Sequence, residues 1–406
     1  MQGEKEMIYK CPNCGGALKF DPNSKKMICE YCISYFEPEE VSGKTENSKD
    51  VQEEMTAASE ATQLNDLDDD YMECNIYSCT SCGGELMVNG LETSTFCAYC
   101  GQPTIVFNRV SKELKPKYII PFSVTKDEAI KLIRDKLNAG FFVPDEIKNF
   151  ETERIKGIYI PYWLCDMDYS DKQSLKGTVG SGKNAKTRYF YRAARTSFKN
   201  MTLDASYRLS DETSQRLEPF DMHDLVEFNT GYMSGYYADR YDVNQENIKR
   251  VALTRGKQLF DMEVRNTIKA SGIQILDCKP NINIKELKYV LLPAWFLTFR
   301  YENEAYTFLV NGQTKKVVGG VPFYKGSVIL LIGMLSSILT LILTPIVRTF
   351  LTMDSDDVGD FIAIIIVSAV WLLIGAVGNF SKVKMSVELS KSKVMMNFVK
   401  ERQEGD

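Results

Sequence analysis

Twice in this chain a Cys-x-x-Cys pair is followed, fourteen residues on, by a second one, and few sequence features restrict a fold so tightly. The first block, CPNCGGALKFDPNSKKMICEYC, supplies Cys11, Cys14, Cys29 and Cys32; the second, CTSCGGELMVNGLETSTFCAYC, supplies Cys79, Cys82, Cys97 and Cys100. Each Cys-x-x-Cys turn offers two thiolates from one knuckle, and a spacer of this length makes a hairpin that brings back the second knuckle. Four soft donors then surround one ion as a tetrahedron. Gly15 and Gly83 give the backbone freedom just after a ligand, and Asn89-Gly90 gives a turn inside the second spacer. The pattern predicts two zinc ribbons, each with one structural Zn2+. Iron in a rubredoxin-like site uses the same four thiolates, and spacing alone does not separate the metals. With all four positions filled by cysteine, no place is open for a catalytic water. Tandem sets also do not fit a redox dithiol, which uses one pair at the start of a helix.

The chain has 406 residues and eleven cysteines, of which Cys74, Cys165 and Cys278 stand outside the four pairs. Its opening, MQGEKEMIYK, has no apolar run that would direct secretion, so the thiols are expected to stay reduced. The formal charge of −5 gives no global attraction to nucleic acid or an anionic bilayer, and any such binding must come from a local patch.

Composition divides the chain. Residues 1–40 are the first ribbon and 71–110 the second. Between them, 41–70 is acidic and poor in large apolar residues, the composition of a flexible tether. Residues 111–326 read as an α+β domain built by duplication, with repeat units of about 115–210 and 236–325. The segments IKGIYIPYWLCDMDY and LKYVLLPAWFLTFRY align without gaps, matching Lys156 with Lys288, Pro161 with Pro293, Trp163 with Trp295 and Tyr169 with Tyr301. A helix precedes each. Thr125 and Glu128 form a capping box for the first, with Ala129, Ile130, Ile133 and Leu137 on one face and Gly140 as its end. The second starts near Asn244, carries Ile248, Val251, Ala252, Leu259 and Met262 on one face and stops at Gly272. Each repeat strand should turn into a hairpin, the second through Asn311-Gly312 with positive φ. Pro161 and Pro293 are expected at strand ends or edges.

Two uncharged apolar runs, at 327–347 and 361–380, are each about 30 Å long as a helix, and predict a C-terminal two-helix transmembrane hairpin. Lysines flank the pair on its outer sides, while the connection at 348–360 is acidic. That places both termini, including the basic tail 381–406, in the cytoplasm of a multi-pass cell-membrane protein.

No catalytic set assembles. GTVGSGKN, from Gly177, has Asn184 where a phosphate-binding loop needs Ser or Thr, and reads instead as a glycine turn. Around it, residues 172–208 concentrate the cations Lys172, Lys176, Lys183, Lys186, Arg188, Arg192, Arg195, Lys199 and Arg208 among Tyr189, Phe190, Tyr191 and Phe198. That mixture suits anionic lipid, or bases, or is a solvated hairpin face. Asp166 and Asp168 lack a third ligand, His223 lacks triad partners, Cys74, Cys165 and Cys278 read as buried thiols, and Trp163 and Trp295 read as core anchors.

With CPNCGG and CEYC, CTSCGG and CAYCG, then IIPFSVTKDEA, GIYIPYWLCDMD, YMSGYYADRYDV and FLVNGQTKKVVGGVP, nearly the whole chain resembles bacterial zinc-ribbon proteins labelled transcription-factor-IIB-type. Some of these also carry a primosomal helicase label, for which no motif is present here. The resemblance implies zinc held by the eight paired cysteines and frequent membrane attachment. Ile33 stands where the second knuckle of the first ribbon usually has glycine, which should loosen that turn. The expected function is a membrane-anchored, non-enzymatic adaptor that binds a protein partner at the cytosolic face. Nucleic-acid binding through the ribbons and an unrecognised enzyme in the duplicated domain are the alternatives.

Overall fold

The structure, a computed structural model, describes residues 9–42, 71–88, 96–103, 105–140, 143–206, 209–243, 245–302, 304–322 and 324, and beyond these Leu330, Met334, Ile338, Ile342, Pro345, Val387 and Lys391. Residues 43–70 of the tether and the Asn89-Gly90 turn lie outside the described residues, while Val41 and Ser42, the first two tether positions, end a short helix.

The first cysteine block folds as three short antiparallel strands, β1 (Leu18–Asp21), β2 (Lys26–Cys29) and β3 (Tyr35–Phe36), followed by the single-turn helix α1 (Pro38–Ser42). The second supplies β4 (Tyr71–Cys79) and β5 (Glu85–Val88), with β6 (Ile105–Leu114) after its last knuckle. Next come β7 (Tyr118–Ile119), helices α2 (Lys126–Asn138) and α3 (Asp145–Lys148), and the long hairpin β8 (Ile155–Val179) and β9 (Lys186–Asp204). Helix α4 (Asp211–Leu217), β10 (Val226–Glu227), β11 (Tyr237–Asp239) and helix α5 (Gln245–Asn266) lead to β12 (Ser271–Cys278), β13 (Asn281–Tyr301), β14 (Glu304–Asn311) and β15 (Val317–Val318). All strands from β4 onward join one twelve-stranded mixed sheet.

At its centre the two repeat strands, β8 and β13, pair antiparallel, and Ile160 lies opposite Leu292, its own equivalent in the other repeat. Pro161 faces Leu291 while Pro293 faces Tyr159. That is the register a local two-fold axis between Ile160 and Leu292 generates. Hydrogen bonds away from the axis obey it too. Ala205 N donates to Pro161 O at 3.2 Å and Gly312 N to Pro293 O at 2.9 Å. Ala205 O accepts from the amides of Asp242 and Val243, as Gly312 O accepts from those of Ser123 and Val124. Asp204 holds the Ser206 amide at 2.8 Å, as Asn311 holds that of Gln313 at 2.9 Å.

The axis explains where the prolines sit, which is mid-strand and not at ends or edges. Within an extended residue N–H and C=O point the same way, and the Pro161 carbonyl faces away from β13, toward Ala205. On that outer side β11 covers Ile158 and Tyr159 and β9 begins at Tyr162. The missing N–H therefore falls where one neighbour ends and the next starts. Pro293 occupies the same gap between β7 and β14.

Side chains of alternating parity on β8 and β13 serve two apolar cores. One face carries Trp163, Met167, Tyr169 and Trp295 against α2, α5 and the first ribbon's Leu18, Phe20 and Met27. The other carries Ile158, Ile160, Tyr162 and Phe296 against Leu217 of α4 and all four cysteines of the second block. Helix α2 begins as its sequence signals: Thr125 Oγ1 accepts from Glu128 N at 3.2 Å, Glu128 returns to Thr125 N at 3.1 Å, and Ala129, Ile130, Ile133 and Leu137 are buried. Helix α5 buries Ile248, Ala252, Phe260 and Val264 and exposes Met262; it ends at Asn266, well before Gly272, which lies in β12. A helix of this length drifts relative to a fixed repeat, so the buried stripe moves round by its last turns. Gly312 is absent from the positive-φ positions, and Lys315 (φ 64°) makes that turn. Gly312 is needed for space, because a Cβ there would come within 2.7 Å of Phe122 and 2.8 Å of Pro293.

The two tryptophans differ in one bond. Trp295 Nε1 donates to Val124 O at 2.9 Å, whereas Trp163 Nε1 is buried with no partner. Trp295→Phe strands a buried carbonyl and Trp163→Phe removes an unsatisfied donor, so the former should cost about 1–3 kcal/mol more in urea unfolding. Equal losses from the two variants would contradict the asymmetry.

The C-terminal expectation is corrected. Among the described residues no helix is long and apolar enough to cross a membrane. The fold observed is a mixed, sheet-rich one, and the two-helix transmembrane hairpin and the multi-pass cell-membrane location with cytoplasmic termini are withdrawn from it. Apart from five residues of the first apolar run, 327–380 lies outside the described residues. The physical reason is that hydropathy reports avoidance of water and does not say whether lipid or protein replaces it. In the tail, Lys391 forms a backbone bridge with Tyr306 and lies 3.8 Å from Glu304, and Val387 packs on the first core.

Candidate metal centres

Each of the four knuckles closes in the same way. The amide four residues after the first cysteine donates back to its carbonyl, as in Gly15 N to Cys11 O (2.8 Å), Ile33 N to Cys29 O (2.8 Å), Gly83 N to Cys79 O (2.7 Å) and Gly101 N to Cys97 O (2.9 Å). The same cysteine's own amide donates to the carbonyl five residues on, that of Gly16, Ser34, Gly84 or Gln102. The residue that closes the turn is left-handed in all four, with φ of 74° at Gly15, 57° at Ile33, 74° at Gly83 and 70° at Gly101. Ile33 therefore does not loosen its knuckle; it adopts the glycine conformation, where a β-branched side chain is strained. Ile33→Gly should raise the stability of the first ribbon by about 1 kcal/mol, read as slower amide exchange in β1–β3. No change would mean that the strain is relieved locally.

These turns bring the thiols together. In each set all four sulfurs lie within 4.8 Å of one another. Cys11 to Cys32 is 3.5 Å and Cys14 to Cys29 is 3.4 Å; Cys79 to Cys100 and Cys82 to Cys97 are both 3.7 Å. A tetrahedron with metal–sulfur bonds of about 2.3 Å has edges of about 3.8 Å, so both sets fit one tetrahedrally bound ion. The chain has two candidate metal sites built from the eight paired cysteines.

Their surroundings differ. In the first set Cys11 and Cys29 are buried while Cys14 and Cys32 are exposed. The Ser34 hydroxyl lies 3.2 Å from Cys32 and, with the Cys11 and Cys14 thiols, holds it down to about 6. Asn13 fixes Ser34 through a 2.9 Å bond. Around this centre Tyr31 is 80% exposed, Ile33 70% and Tyr35 49%. No periodicity marks these residues; their only signal in the sequence is their position beside the second knuckle. The ribbon's other side docks on the body, where Ser234 Oγ donates to Leu18 O, Phe20 N donates to Ser234 O at 3.0 Å, and Phe20 meets Tyr232 edge-on.

In the second set all four cysteines are buried. The last knuckle packs on β13, with Thr298 Oγ1 donating to Ala98 O at 2.6 Å and Tyr99 edge-on to Phe296. Strand β5 pairs with β11, so this ribbon extends the main sheet. Arg240, just after β11, reaches back to Glu113 at 3.0 Å and Glu85 at 3.1 Å, and Arg109 also holds Glu85 at 3.0 Å.

The remaining sequence candidates are not assembled into a site. Asp168 pairs with Lys285 at 2.9 Å, which holds its carboxyl below the usual range; Asp166 accepts from Asn200 N and lies 3.6 Å from Lys288. His223 is exposed, with Asp221 beside it at 2.7 Å. Cys74 and Cys165 are buried, and burial pushes them up to about 12 and about 11; Cys278 is half-buried. Gly177 lies within β8 opposite Arg188, and Gly180 and Gly182, both at positive φ, lie in the β8–β9 turn. A cleft of about 200 Å³ between β9, α4 and α5 is lined by Asp204, Glu218, Arg250, Arg255 and Gln258 among others, and includes none of these candidates.

No family profile matches the chain, and no solved structure matches it. It is similar to the uncharacterized protein YdjG of Bacillus subtilis (strain 168), at 30% identity over 337 residues that cover 79% of this chain and 91% of the relative. Identity of that extent takes in the greater part of both proteins, and the chain belongs to the same family as YdjG.

Proposed function

We propose that the protein is a non-enzymatic zinc-ribbon adaptor of the transcription-factor-IIB-labelled type. In this reading its first ribbon engages a protein partner and its second is part of the scaffold. The unequal burial of the two centres carries the reading. Four buried cysteines inside a core can only organise that core, whereas a centre with two exposed ligands and Tyr31, Ile33 and Tyr35 on its rim offers a rigid apolar surface to another molecule. The ion proposed for both closed S4 sets is zinc, which fills such a site without a further ligand; iron fits the same four thiolates and is the alternative that the metal analysis separates. Elemental analysis should find two zinc ions per chain; an iron protein would instead show visible thiolate charge-transfer bands. The partner assignment is tested by affinity capture from the protein's own cells with the Tyr31→Ser/Tyr35→Ser variant. A partner lost from that variant, with both metals retained, supports the reading, and an unchanged set of partners counts against it.

A further inference from the structure

The two faces of the β8–β9 hairpin differ. Phe190 and Phe198 turn toward the first core, and Arg192 Nε donates to Thr267 beyond the end of α5 at 3.2 Å. The opposite parity, Tyr189, Tyr191, Ala193, Arg195, Ser197 and Lys199, is exposed throughout. Across the ladder Lys176 sits beside Tyr189, Ser174 beside Tyr191, and Lys172 beside Ala193. This is a bare sheet face in which two rings, 75% and 60% exposed, stand about 7 Å apart along one strand. Lys172, Lys176, Arg195 and Lys199 surround them. Among the described residues none of these four is in an ion pair, although the chain as a whole is acidic. Of the acids on the same face, Asp168 is held by Lys285 and also feels the charge of Arg195, leaving Asp277 opposite Ser174.

We infer that this face binds single-stranded nucleic acid, its bases stacking on Tyr189 and Tyr191 and its phosphates meeting Lys172, Lys176, Arg195 and Lys199. Unpaired cations on an acidic protein specify a polyanion, and planar rings at strand period specify an unpaired base as the flat group between the charges. A duplex hides its base faces and offers the rings nothing. An anionic bilayer would gain from large aliphatic anchors inserted beside the cations, and Leu276 is the one large aliphatic side chain exposed along these strands among the described residues.

The test uses the full chain and a fluorescein-labelled oligothymidine of about twenty nucleotides, followed by anisotropy. Binding should weaken about fifty-fold between roughly 50 and 200 mM salt, as about four phosphate contacts require. Tyr189→Ala/Tyr191→Ala should weaken it at least tenfold, on the order of one stacked base per ring, without moving the thermal midpoint. Lys172→Gln/Lys176→Gln should flatten the salt slope. The inference is overturned by no binding at low salt, by a tyrosine variant that binds like the wild type, by duplex DNA binding as tightly as the single strand, or by phosphatidylserine vesicles capturing the protein while the oligonucleotide does not.

Discussion

Cys97→Ser should leave the chain without a cooperative unfolding transition. Its sulfur belongs to the candidate metal centre whose four cysteines share a core with Ile158, Ile160 and Phe296 at the middle of the sheet. A structural zinc contributes on the order of 10–16 kcal/mol to the element it organises, and a whole domain is stable by about 5–15 kcal/mol. A site of that size cannot be lost from inside the main core while the rest stays intact. The effect should spread from the knuckle that carries Ala98 and Tyr99 to β13, and from β5 to β11. Cys14→Ser removes an exposed cysteine of the first set, whose three-stranded sheet is separate from the main one and meets the body through Leu18 and Phe20. Protection in β1–β3 should then vanish while the twelve-stranded sheet persists. Calorimetry and amide exchange separate the outcomes, and each variant should bind one metal fewer. A Cys97→Ser protein that melts like the wild type would refute the scaffold role of the second centre.

Arg240→Ala should destabilise the protein by about 3 kcal/mol, near the lower limit for breaking a buried ion pair because a third of the arginine side chain is exposed. Glu113, 6% exposed, would keep the Ser111 hydroxyl at 2.7 Å to offset its desolvation, while Glu85 retains Arg109. The damage comes from the charge left behind and not from the bond lost. Arg240→Met/Glu113→Leu, which removes both charges, should therefore recover most of the stability. Urea titration of the two variants decides it. A double variant as unstable as the single one would show that the arginine acts through its packing.

Several parts of this molecule are legible in short stretches of residues. Thr125 and Glu128 are three positions apart and cap α2 wherever α2 is placed. Eight cysteines in four pairs name their own ligand sets, because a knuckle is closed by the amide four residues on, with no help from the rest of the chain. The matched prolines, tryptophans and tyrosines disclose a duplication. Where the sequence misleads, the deciding contact is distant. Pro161 is tolerated mid-strand because β9 starts where β11 stops, and Gly312 is required because Phe122, far back in the chain, passes over it. Met262 fits a helical stripe that the sheet beneath α5 does not use. The apolar runs at 327–347 and 361–380 declare an aversion to water and leave its replacement open.

By itself, then, the order of residues determined the candidate ligand sets, the caps and the matched repeat segments, since these rest on groups within a few turns of backbone. Only tertiary structure decided that the repeats pair about an axis at Ile160 and Leu292, that one ribbon is core and the other rim, and that Tyr189 and Tyr191 face outward while Phe190 does not. Burial is a property of what else arrives at the same place, and two cysteine blocks of the same spacing carry no record of their different neighbours.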